Sequence, residues 1–140
     1  MIARDYKVPG VSVGDWRDES TFTAVELPAD VGDRAPLALH ALTEHEIIAV
    51  GEDGLILRGG RDGWTVEPSG VTEDLLEVWG SDSDGFYAVG EQGRILFRGE
   101  QGWRVVDSGT DQTLRSIHGQ PGGRIVIGGD GSALLEVIAR

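Results

Sequence analysis

The chain repeats itself at a spacing of about 39 residues. Ala49-Val50-Gly51-Glu52-Asp53-Gly54-Leu55-Ile56-Leu57 returns as Ala88-Val89-Gly90-Glu91-Gln92-Gly93-Arg94-Ile95-Leu96. The echo continues through Gly63-Trp64-Thr65-Val66 and Gly102-Trp103-Arg104-Val105, then Ser69-Gly70 and Ser108-Gly109. A third, looser copy runs Ile125-Val126-Ile127-Gly128-Gly129-Asp130-Gly131-Ser132-Ala133-Leu134. Each copy is one small unit that hides its apolar faces only against its neighbours. That condition limits the fold to stacked or circular arrays.

Within a copy the apolar runs are short and bracketed by glycine. In the best-formed one, Leu75–Trp79, Phe86–Val89, Arg94–Arg98 and Trp103–Val106 are rich in strand formers. Between them stand Gly80–Gly85, Gly90–Gly93 and Gly99–Gly102, whose glycines supply the positive φ of tight reversals. The earlier copy predicts strands at 37–42, 46–50, 55–58 and 64–67, and the later one at 114–118, 124–127 and 133–138. Four antiparallel strands per period predict an all-β fold made of β-propeller blades, about three to the chain. The third copy shows no fourth strand of its own. Thr21-Phe22-Thr23-Ala24-Val25-Glu26-Leu27 is expected to supply it and close the last blade, with Phe22 in the role of Trp64 and Trp103. Residues 1–20 are expected to be an N-terminal arm or decayed strands, and 21–140 the three-blade unit. Single-ring propellers have about four to eight blades. Three therefore predict completion by oligomerisation, foremost a homodimer with six blades in its ring.

Composition narrows the function classes. Against 12 basic residues stand 24 acidic ones, for a net charge of −12, so phosphate backbones are repelled and nucleic acid is not an expected partner. Basic proteins are favoured instead. The chain has no cysteine, hence no disulfide or thiolate metal site. No apolar run approaches the roughly 20 residues of a membrane span, and the first residues carry no signal-peptide pattern, so a cytoplasmic location is expected.

Leu76-Glu77-Val78-Trp79-Gly80, Phe86-Tyr87-Ala88-Val89-Gly90-Glu91-Gln92-Gly93-Arg94-Ile95-Leu96, Gly102-Trp103 and Ser108-Gly109-Thr110 together resemble a known repeat. It is similar to the propeller repeats of photosystem II assembly factors and their bacterial relatives, grouped with BNR-like repeats, over residues 36–140. The resemblance implies a non-catalytic binding or assembly module. It also brings sialidase-like enzymes into view, but the turn Ser81-Asp82-Ser83-Asp84-Gly85 departs from their Ser-x-Asp-x-Gly-x-x-Trp pattern, and Tyr87 sits at a packing position of the repeat. Histidines 40, 45 and 118 have no nucleophile-elbow serine, and no turn has the spacing of an EF-hand. No catalytic residue, metal ligand or cofactor is therefore assigned.

Binding residues are assigned instead. One period separates His40 from Trp79 and Trp79 from His118, so all three end the first strand of a blade near the ring axis. They are expected to contact a protein partner, with the acidic turn residues Glu52, Asp53, Asp82 and Asp84 as the second group. A lectin-like propeller and an acidic inhibitor or immunity-type protein that masks a basic partner are the alternatives.

Overall fold

A computed structural model describes residues 24 to 137. Three antiparallel sheets follow one another along the chain, each a simple meander. The first holds β1 (Pro36–Thr43), β2 (Glu46–Gly51), β3 (Ile56–Gly60) and β4 (Gly63–Val66). The second holds β5 (Leu75–Ser81), β6 (Gly85–Gly90), β7 (Ile95–Gly99) and β8 (Gly102–Val106). The third holds β9 (Leu114–Gly119), β10 (Ile125–Gly129) and β11 (Leu134–Glu136). Eleven strands were expected at these places, and the glycine-bounded turns separate them. Among the described residues the third sheet has no fourth strand, and β11 pairs with β10 alone. Of the strand expected at 21–27, residues 24–27 belong to no strand; 21–23, Phe22 included, lie outside the described residues, as do 1–20. The chain is thus all-β, with helix restricted among the described residues to single 3-10 turns.

The repeat has a physical cause at the turn after each second strand. There the backbone N–H of Glu52, Glu91 and Asp130 donates to the carbonyl of Ala35, Asp74 and Thr113, at 3.0, 3.0 and 2.8 Å. These carbonyls lie just before the first strand of the same sheet and press on the preceding glycine. A Cβ on Gly51, Gly90 or Gly129 would overlap them. The glycines recur because the neighbouring backbone leaves no room for a side chain. In the first two sheets the glutamate completes the lock, its Oε1 accepting from Ala35 N–H at 2.9 Å and from Asp74 N–H at 3.2 Å. In the third sheet the shorter Asp130 binds Arg115 instead, at 2.6 Å.

The sheets stack in sequence order, β1 against β5 and β5 against β9. Side chains alternate along each strand, so the sheets bury both faces where they have neighbours. Ile48, Val50 and Ile56 of the first sheet meet Val78, Phe86, Ala88 and Leu96 of the second. From the other face of the second sheet, Trp79, Tyr87, Val89 and Ile95 meet Leu114, Ile117, Ile125 and Ile127 of the third. That double burial explains why β6 reads as the continuous run Phe-Tyr-Ala-Val. The first sheet's remaining face, Ala49, Leu55 and Leu57, is covered by Val31 from the 3-10 turn Ala29–Val31.

Candidate interaction surfaces

The position shared by His40, Trp79 and His118 leans onto the following sheet. The His40 ring stands 6.3 Å from Trp79 and 6.3 Å from Phe86, both in the second sheet. Trp79 in turn packs into the core shared with the third sheet and keeps only 8% of its surface exposed. Gly119 makes the space, since a Cβ there would come to 3.0 Å from the Trp79 ring. His118 has the same place in the third sheet and is exposed. The structure therefore brings His40 and Trp79 together as packing partners, and leaves only His118 fully open to contact.

The acidic group divides as well. Glu52 is half-buried by its bond to Ala35, whereas Asp53 is exposed in a left-handed conformation (φ 53°) with its N–H held by Asp74 Oδ1 at 2.9 Å. Gln92 adopts the same conformation (φ 57°), and in the third copy Gly131 stands there. Asp82 is exposed in the β5–β6 turn. Asp84 is a tie between sheets: its Oδ2 accepts from Ser81 Oγ at 2.7 Å and from Gly122 N–H at 2.7 Å, across to the β9–β10 turn. Asp74 precedes β5 and Asp82 follows it, so Asp53 and Asp82 stand about 20 Å apart, at opposite ends of one strand. The four acids are not one patch. Among the described residues, no group of three or more His, Asp or Glu is placed to hold a metal ion. Nor is any helix there long and apolar enough to cross a membrane.

Sequence reasoning missed a polar pin between the first two sheets. Glu67, just after β4, accepts from Arg98 Nε at 2.9 Å and Arg98 Nη2 at 3.0 Å, and from Trp103 Nε1 at 2.8 Å. Burial works to raise the Glu67 pKa, but the hydrogen bonds from Arg98 and Trp103 outweigh it and hold the carboxyl below its usual range. The same bond raises Arg98. Pairing across the two sheets joins Glu67 to residues that do not repeat. One period on, Val106 stands for Glu67 and Val137 for Arg98.

The second and third sheets part at this level into a cleft of about 730 Å³. Tyr87, Ile95, Phe97 and Val106 form one wall, Ile127 and Leu134–Val137 the other, with Asp84, Arg104 and Asp107 at the rim. Tyr87 and Phe97 rings are 5.0 Å apart, and the Arg104 guanidinium lies 5.1 Å over Phe97.

At each end of the stack an apolar position that is otherwise buried between sheets is open. Val78 and Ile117 are 3% and 6% exposed, but their counterpart in the first sheet, Leu39, is 64% exposed. Ile56 and Ile95 are 0% and 6% exposed, but Leu134 of the third sheet is 72% exposed. Comparison of the chain with family models, with curated proteins and with solved structures finds no match.

Proposed function

We propose that the chain is a section of a β-propeller, three blades long, and that it works as a non-catalytic binding module after its ring is completed by oligomerisation. The exposure of Leu39 and Leu134 carries this reading. Each occupies a position that the repeat otherwise buries against a neighbouring sheet. Apolar residues presented at both ends of a stack are matched by the opposite end of a second copy, and two copies joined head to tail make six blades. The resemblance of residues 36–140 to the repeats of photosystem II assembly factors supports a role in binding protein. A surface of net charge −12 favours a basic partner, met by the exposed turn acids Asp53 and Asp82.

The test is the absolute mass in solution, by light scattering after size exclusion. Twice the 15.0 kDa chain mass is expected, falling to the single chain in the doubly substituted Leu39→Asp, Leu134→Asp protein. Both side chains are exposed, so the variant keeps its fold, which far-ultraviolet circular dichroism checks. A wild-type protein that stays monomeric at high micromolar concentration would overturn the reading.

A further inference from the structure

We infer that the cleft between the second and third sheets is a strand-acceptor groove, and that its occupant is the segment around Phe22 from a second copy of this chain. The inference rests on the head-to-tail reading above and goes further, to the residues exchanged.

The first sheet-to-sheet contact shows what fills such a place. Trp103, in β8, packs against the core between the first two sheets and donates its indole N–H to Glu67. β8 pairs with β7 so that Trp103 faces Arg98 and Val106 faces Ile95. At the second contact the counterparts of Arg98 and Glu67 are Val137 and Val106, and both line the cleft; in strand register Leu134 is the counterpart of Ile95. The edge of β11 beyond them has no strand beside it among the described residues. Its backbone N–H and C=O groups can take a fourth strand.

The change in chemistry specifies the occupant. Where the first contact offers a carboxylate and a guanidinium, the second offers two valines. A tryptophan would leave its N–H without a partner there, whereas a phenylalanine fits. Phe22 is the aromatic of the segment that the sequence pattern assigns to a fourth strand. Set antiparallel in the β7–β8 register, Phe22 faces Val137 and Val25 faces Leu134.

The segment comes from another chain because of where it is tethered. Val31 is buried against Leu55 and Leu57, on the face of the first sheet turned away from the second. Val25 is six residues earlier, a reach of at most about 20 Å. Two sheet-to-sheet spacings of about 10 Å separate that face from the third sheet along a straight line through the packed second sheet, and any path around it is longer. In a head-to-tail pair, the end that carries Val31 meets the third sheet of the partner directly.

The absence of cysteine allows a clean test. Full-length Val25→Cys and Leu134→Cys proteins are made separately, mixed, equilibrated and oxidised. A disulfide-linked dimer is expected from the mixture and from neither protein alone. Phe22→Asp is expected to weaken dimerisation by roughly thirty-fold or more, as loss of a buried aromatic anchor does. Phe22→Leu, which keeps the apolar fill, is expected to hold most of it. A dimer whose mass and affinity ignore Phe22→Asp, with no disulfide in the mixture, would overturn strand exchange and leave head-to-tail assembly standing. A Val25→Cys, Leu134→Cys double variant that closes its disulfide within a monomer would overturn exchange between chains. A wild-type monomer would sink both readings together.

Discussion

Glu67 shows how one side chain ties two sheets. Its carboxylate takes three donors from the next sheet, and burial of the group strengthens each bond while making any loss costly. Glu67→Gln keeps the shape and removes the charge from beside Arg98. It is expected to lower unfolding free energy at pH 7 by about 1–3 kcal/mol, measured by urea denaturation. The pH dependence follows from the sign of the shift. A carboxyl held below its unfolded value of 4.5 contributes stability that is complete above that value and is lost as pH falls through the folded one. The gap between wild type and Glu67→Gln therefore narrows below about pH 4.5. A gap that stayed constant from pH 7 to pH 3 would mean that the charge is not what Glu67 contributes.

At the scale of the element, the turn after each second strand does the same job three times with different residues. Gly90 is fixed by the Asp74 carbonyl, so Gly90→Ala is expected to cost more than 2 kcal/mol, since backbone must shift to admit a methyl group. Two residues further, Gln92 holds a left-handed conformation that costs an L-residue roughly 1–2 kcal/mol. Gln92→Gly is expected to stabilise slightly, by about 0.5 kcal/mol after the extra chain entropy, and Gly131→Gln to destabilise; thermal denaturation of the pair reads both signs. These turns were legible because their glycines answer to backbone, which every copy repeats. Side-chain partnerships were less legible. The period placed His40, Trp79 and His118 at equivalent points, but the direction of each ring depends on whether a following sheet stands there with room such as Gly119 gives. Glu67 and Arg98 break the repeat, and the one trace of their pairing in the sequence is a glutamate where the next copy has Val106.

At the scale of the whole molecule, the main contacts of each sheet are with its neighbours in sequence, and the stability of such a stack is a sum of sheet terms and contact terms. If self-association covers the end faces, the thermal midpoint will rise with protein concentration; in the Leu39→Asp, Leu134→Asp protein it will not. Differential scanning fluorimetry over a hundred-fold concentration range separates the two cases. The middle sheet alone has another sheet of its own chain on each side, and this has a consequence in time. Amide deuteration should proceed inward, β11 first and β6 last, with the β6 amides of Ala88 and Val89 opening only when the entire chain unfolds. The protein would then carry an internal clock, in which the order of hydrogen replacement reports the order in which neighbours let go.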